Sequence, residues 1–219
     1  MVRAFKFIGL SVLLAAVSFS QDKPDQAQVT FALDFLGSQP EHYSFRVQSD
    51  GKVRYQSISR ISSESDDLDS FEYEFTVSPS TRARVFELSA KSGYFQNDLD
   101  SHRKNMAFTG RKTLKYEEGT RNFESTFNYS PNPAVQGLTS VFQSLSATLE
   151  LGHRLEYSLR YQKLALADEL KRTEESARLN PPVEIQAIAP ILQQIVADTG
   201  VMNVTRARAQ RLLASASPQ

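Results

Sequence analysis

The chain has 219 residues, with 25 basic and 25 acidic side chains and no cysteine. This length suffices for one sizeable core or for a domain with an appendage, and the even charge balance creates no field to attract nucleic acid. Without cysteine, the sequence excludes a disulfide, a thiolate metal site and a lipid-anchor cysteine.

The N-terminus has the pattern of a secretory signal peptide over residues 1–20. A basic start leads into an apolar run at residues 7–17, and the small residues Ser18 and Ser20 stand at the predicted cleavage point. The run is shorter than the roughly 20 residues of a membrane helix, so we expect cleavage, an extracytoplasmic (periplasmic or secreted) location and no stable membrane span. Retention as an uncleaved anchor is the alternative. Residues 21–28 are polar and predicted to be disordered.

Alternating apolar residues predict a strand at residues 29–35 and a hairpin at residues 43–55. A three-residue loop that ends at Gly51 would pair Val47 with Val53 and keep the apolar residues of both strands on one face. Such a loop needs a left-handed residue at its end, so we expect a positive φ at Gly51.

A polar loop at residues 62–70 precedes a fourth strand at residues 71–77. Ser78 as N-cap and Pro79 at the first helical position predict a helix that ends at Gly93. The inner stripe of this helix is predicted to consist of Ala83, Val85, Phe86, Leu88 and Ala90.

A second hairpin is predicted between residues 107 and 129. Its apolar residues are even-numbered in the first strand and odd-numbered in the second. They lie on one face only if the loop has an even number of residues, and we place a two-residue loop at Glu118-Gly119. The resulting register pairs Leu114 with Phe123 and Gly110 with Phe127.

Asn132 and Pro133 predict the start of a long helix that continues to about residue 178, with Gly152 as a candidate kink. Its apolar stripe continues through Leu155, Leu159, Leu166 and Leu170. A helical pair at residues 184–198 and 204–214 follows, and residues 216–219 are predicted to be a disordered tail.

These elements predict an α+β fold. An antiparallel sheet of five to six strands, within residues 29–150, carries two helices (79–91 and 133–151) on one face. A C-terminal helical extension occupies residues 151–215.

Three stretches carry a resemblance to known domains: residues 43–55, Val77-Ser78-Pro79 and Gly93-Tyr94-Phe95. Their order resembles a group of uncharacterised bacterial extracytoplasmic domains of unknown function, which implies a fold and a compartment but no activity. Separately, residues 188–213 resemble one HEAT-type helical repeat, and a single copy cannot stack into a solenoid.

Two groups are candidate binding residues. The tyrosines Tyr43, Tyr73 and Tyr129 belong to an aromatic row that either forms a stacking platform or lies in the core beneath the helices. Asp98, Asp100 and His102 cluster on one loop, either as a site or as a solvated loop. The sequence predicts no catalytic constellation, no metal site and no cofactor.

The leading functional hypothesis is a non-catalytic binding or protein-interaction module. The leucines at residues 155–170 outrun the predicted sheet, so we expect them to contact a protein partner or a second copy. One alternative is an extracytoplasmic hydrolase with its site near Asp98, Asp100 and His102. Another is an inhibitor-like module that binds a secreted enzyme.

Overall fold

The computed structural model describes residues 26–61, 67–177 and 182–215. The predicted signal peptide, most of the segment 21–28 and the tail 216–219 therefore lie outside the described residues. The strands are β1 (Gln28–Asp34), β2 (His42–Gln48), β3 (Lys52–Arg60), β4 (Leu68–Thr76), β5 (Arg111–Glu118) and β6 (Arg121–Phe127). The helices are α1 (Pro79–Lys91), α2 (Pro133–Tyr161), α3 (Ala165–Ala177), α4 (Ala189–Ala197) and α5 (Asn203–Ser215).

The six strands form one antiparallel sheet in the order β4-β3-β2-β1-β5-β6. This confirms the predicted α+β class with a C-terminal helical extension. Two short 3-10 turns, Gly93–Phe95 and Ile185–Ile188, complete the regular structure of the described residues. Strand β4 begins at Leu68, inside the stretch predicted as a polar loop.

The first hairpin has the predicted register. Val47 pairs with Val53 and Phe45 with Tyr55, and Gly51 has a φ of 92°. The three-residue loop could be predicted because the odd-numbered apolar positions of both strands and the position of Gly51 each require it.

The predicted register of the second hairpin is wrong by two residues. Its two-residue loop is Gly119-Thr120, so Phe123 faces Tyr116 and Phe127 faces Lys112. The alternation of apolar positions cannot distinguish the predicted loop, Glu118-Gly119, from the observed one, because either loop keeps the apolar side chains of both strands on one face. The first strand begins at Arg111 and not near residue 107, so the predicted pair of Gly110 and Phe127 is also wrong.

Helices α1 and α2 cover the aromatic face of the sheet. The Phe142 ring of α2 stacks on Phe31 at a centroid distance of 4.9 Å, and Val85 and Leu88 of α1 are buried in the same core. The predicted stripe of α1 is wrong at Ala83 and Ala90, which are exposed; a helix this short fits more than one stripe.

The predicted continuous helix to about residue 178 is wrong, because α2 ends at Tyr161 and the chain turns back into α3. Arg154 of α2 binds Glu169 of α3 at 2.8 Å across this helical hairpin. Residues 162–164 contain no glycine or proline, and the apolar stripe continues on both sides of them. The sequence therefore contains no signal for a turn at this place.

The turn buries the leucines that were expected to face a partner. Leu155, Leu166 and Leu170 are completely buried in the core, and Leu159 packs against it. The C-terminal elements cover this region from the side of Gly152, where a Cβ atom would lie 2.5 Å from Ile188 Cγ2. Gly152 therefore serves a close approach and does not interrupt α2. No helix of the described residues has the length and apolarity to cross a membrane.

Candidate functional site

A cleft of about 990 Å³ opens at one end of the sheet. It lies on the face opposite α1 and α2, where β1 and β3 end and where β2, β4 and β5 begin. This end of the sheet gathers residues that are far apart in the sequence, because antiparallel strands bring starts and ends together.

Exposed apolar side chains line the cleft. Leu36 is 83% exposed, Phe108 61% and Leu68 55%, and Ile58 is also exposed. The Phe35 and Phe108 rings meet edge to face at 5.8 Å. Exposed apolar side chains that share one concavity, and are not scattered singly, are typical of interaction sites.

The polar floor of the cleft is organised around Asp34. Strand register places Asp34 opposite His42 on one side and Arg111 on the other. Its carboxylate binds His42 Nδ1 at 2.6 Å and Arg111 at 3.3 Å. Burial alone would raise the pKa of Asp34, but the hydrogen bonds from His42 and Arg111 hold it below its ordinary value.

The loop that carries Phe108 is fixed by Gly110 and Lys112. Gly110 has a φ of 94°, and a Cβ atom there would lie 2.9 Å from Phe35 Cβ. Lys112 is 5% exposed, and its ammonium donates to the carbonyl oxygens of Thr109, Gly110 and Asn128 at 2.9–3.0 Å. Burial lowers the pKa of Lys112, and these three acceptors compensate its buried charge.

The structure brings Asp98, Asp100 and His102 together at the side of the cleft. His102 Nε2 binds Asp98 Oδ2 at 2.6 Å, and the His102 N–H donates to Asp100 Oδ1 at 2.7 Å. The hydrogen bond with Asp98 raises the pKa of His102. Asp100 also accepts from the Asn128 N–H at 2.6 Å and lines the cleft, so the cluster holds this loop against β6.

The three candidate tyrosines lie elsewhere. Tyr43 is 5% exposed in the core beneath the helices, where burial raises its pKa. Tyr73 is half-buried on β4 and donates to the Ala187 carbonyl oxygen at 2.8 Å. Tyr129 is half-buried and accepts from the Gln136 side chain at 2.9 Å. The structure does not bring these three hydroxyls to one site.

Helix α2 carries a carboxylate into the core. Glu150 is buried and accepts from the Tyr55 hydroxyl at 2.8 Å and the Ser57 hydroxyl at 2.6 Å. Burial and the neighbouring carboxylate raise the pKa of Tyr55. This network joins α2 to β3 and lies away from the cleft.

The patterns of the sequence do not predict the cleft, although they do contain signals for some of its residues. Leu36 stands in a turn, where no apolar periodicity applies. Phe108 fits the alternation of the predicted second hairpin, but it lies in the loop before β5. Asp34 and His42 flank the turn between the first two strands, and a correct register makes them neighbours. Among the described residues, no group of three or more histidines and acidic residues could hold a metal ion.

No protein-family model matches the chain, and no curated protein matches it either. The resemblance to bacterial extracytoplasmic domains of unknown function stays a prediction.

Proposed function

We propose that the protein is an exported, non-catalytic binding module whose ligand occupies the cleft at the end of the sheet. The observation that carries this proposal is the gathering of Leu36, Phe108 and Leu68 around the polar floor of Asp34, His42 and Arg111. Export is supported by the sequence pattern of residues 1–20.

The lining defines the chemistry of the ligand. The apolar side chains favour an apolar or aromatic body, whose burial contributes roughly 25 cal/mol per Å². One nitrogen of the Arg111 guanidinium contacts Asp34, and the Arg111 side chain is 65% exposed. Its other donors suit a carboxylate, sulfonate or similar acceptor. We therefore expect an amphipathic ligand with an anionic or strongly accepting end.

The dye 8-anilinonaphthalene-1-sulfonate has this chemistry and reports binding by its fluorescence. We expect enhancement with the native protein and at least a severalfold loss of affinity in Phe108→Ser and Leu36→Ser, because both apolar contacts disappear. Leu164→Ser is the matched control, since Leu164 is 80% exposed and lies outside the cleft.

Near-ultraviolet circular dichroism establishes that each variant keeps its fold. Equal affinity in Phe108→Ser, Leu36→Ser and Leu164→Ser would place the dye elsewhere and contradict the proposal.

A hydrolase is a second candidate, supported by the convergence of His102 with Asp98 and Asp100. An ester-hydrolysis assay of the native protein and of His102→Ala tests it. Hydrolysis by the native protein that is faster than in buffer alone and is lost in His102→Ala supports this candidate. Hydrolysis by the native protein at the same rate as in buffer excludes it. The inhibitor-like module stays a prediction.

The proposed export has its own test. We expect the protein isolated from the extracytoplasmic fraction to begin at Gln21, because cleavage should follow Ser20. N-terminal sequencing checks this, and a retained Met1 on the exported protein would show an uncleaved anchor.

A further inference from the structure

Strand β4 lies at the edge of the sheet, and its outward backbone groups can be identified. Beyond the two ends of the β3–β4 ladder, Val77 N–H donates to Gly51 O and Ile61 N–H donates to Asp67 O, each at 3.0 Å. Alternate residues of an antiparallel pair exchange backbone bonds, so the odd-numbered residues of β4 bond to β3. The N–H and C=O groups of Ser70, Glu72 and Glu74 therefore point away from the sheet.

No other strand of the described residues pairs with this outer side of β4. Unpaired edge groups are a template for an added strand, which gains backbone bonds without rearranging the sheet. Side chains of an added strand would alternate between the two faces of the sheet, as they do along β4.

The two faces beside the edge differ in chemistry. On the helix side, Phe71 and Tyr73 line a small pocket of about 130 Å³ together with Ile188 and Pro190. On the opposite face, Glu72 and Glu74 are exposed. An added strand would thus place every second side chain near apolar groups and the others beside glutamates.

Charge decides between a second copy and a different partner. Strand β4 carries three carboxylates and no basic residue. Asp69 binds His153 at 2.9 Å and Glu72 binds Arg54 at 2.5 Å, so Glu74 is the carboxylate of β4 left for an incoming side chain. Two antiparallel β4 strands that are bonded through their outward groups and centred on Tyr73 would set Glu72 and Glu74 of one copy opposite Glu74 and Glu72 of the other. Like charges directly opposite are destabilising, whereas a basic side chain at these positions is favourable.

We propose that the β4 edge binds an extended segment of another protein by strand addition, with basic and apolar residues in alternation. A basic side chain lies beside Glu74, and an apolar side chain enters the pocket at Tyr73 and Ile188. This surface is separate from the cleft of the proposed function.

Fluorescence anisotropy with a labelled nine-residue peptide of alternating lysine and valine, the length of β4, tests the proposal. We expect saturable binding, and much weaker binding of the peptide in which glutamate replaces lysine. Glu74→Pro removes one outward N–H donor and leaves the bonds to β3 intact, so affinity should fall about tenfold.

Glu74→Lys keeps the N–H and reverses the charge, so it should lose affinity for the lysine peptide and gain affinity for the glutamate peptide. Glu124→Gln, a charge change on β6 at the other edge of the sheet, should leave both affinities unchanged. Glu74→Lys also keeps the test decisive if Glu74→Pro does not fold.

Three results would overturn the proposal. They are equal affinity of both peptides, equal affinity of the native protein and Glu74→Lys, and dimerisation of the protein through β4. Competition by 8-anilinonaphthalene-1-sulfonate would place the peptide in the cleft and overturn it as well, whereas failure of the dye to bind leaves this proposal standing.

Discussion

Asp34 shows how one residue can organise the cleft. Its carboxylate is shared by His42 and Arg111, which come from the two strands on either side of β1. Both side chains are thereby held at the floor beneath the apolar side chains. The contacts of Asp34 depend on the register of β1 with both β2 and β5, so they form only when all three strands are correctly paired.

The titration of His102 is a residue-scale prediction. Asp98 stabilises the protonated imidazole and raises its pKa above the ordinary value of 6.5. The stabilisation is therefore fully present below pH 6.5 and is lost as the pH rises through the pKa of the folded state. We expect an NMR titration of the His102 ring with a midpoint above 6.5 that falls in Asp98→Asn. An unchanged midpoint in Asp98→Asn would contradict the contact.

Replacement of Lys112 should destabilise the fold. Lys112→Met keeps the length of the side chain but leaves the carbonyl oxygens of Thr109, Gly110 and Asn128 without this donor. We expect the free energy of unfolding, measured with urea, to fall by about 2 kcal/mol. Lys104→Met on the exposed loop is the control and should change it by less than about 0.5 kcal/mol. Equal values for the two variants would show that the buried ammonium contributes little.

Some residues were predictable and others were not. Gly51 and Ser78 could be placed from the sequence because a loop type and a helix cap each demand a particular residue. The cluster of Asp98, Asp100 and His102 was visible as neighbours in sequence. The exposure of Phe108 and the burial of Lys112 could not be predicted, because both depend on where the loop packs.

At the scale of elements, Glu184 joins the C-terminal extension to α1. Its carboxylate accepts from the Ser78 hydroxyl at 2.6 Å and from the Ser78 N–H at 3.0 Å. Ser78 is the N-cap of α1, so a buried negative charge meets the positive end of that helix.

A double-mutant cycle between Ser78→Ala and Glu184→Ala tests this link. Each change alone should destabilise the protein, and their coupling energy should be about 1 kcal/mol, because both remove the same hydroxyl–carboxylate bond. Urea unfolding provides the energies. Ser78→Ala with Glu175→Ala, an exposed glutamate of α3, is the control cycle and should show no coupling. Coupling near zero in both cycles would contradict the link.

Element boundaries followed the sequence where a specific residue sets them and departed from it elsewhere. Pro79 and Pro133 begin their helices as expected. The turn between α2 and α3 has no such residue, and it forms because Leu166 and Leu170 become buried only when the chain reverses.

For the whole molecule, burial of the leucine stripe predicts a monomer. Leu155, Leu166 and Leu170 are covered by the chain itself, which leaves them unavailable to a second copy. We expect light scattering of residues 21–219 to give the mass of one chain over a wide range of concentration. A stable dimer would show that another surface, such as the cleft or the β4 edge, pairs with itself.

The class of the fold was predictable because it depends on patterns repeated along the chain. Alternating aromatics define one face of the sheet, and two amphipathic helices need that face for their own burial. The cleft was not predictable, because it lies where several loops meet the ends of the strands, and the residues of these loops follow no apolar periodicity. Its residues become neighbours only through the strand order β4-β3-β2-β1-β5-β6.

Amide chemical shifts recorded during titration with 8-anilinonaphthalene-1-sulfonate test the proposed binding site most directly. We predict that the largest changes fall on Leu36, Phe108 and Arg111, which line the cleft. Changes confined to the exposed residues Tyr161 and Leu164 at the turn between α2 and α3, or no changes at all, would contradict a ligand site at the end of the sheet.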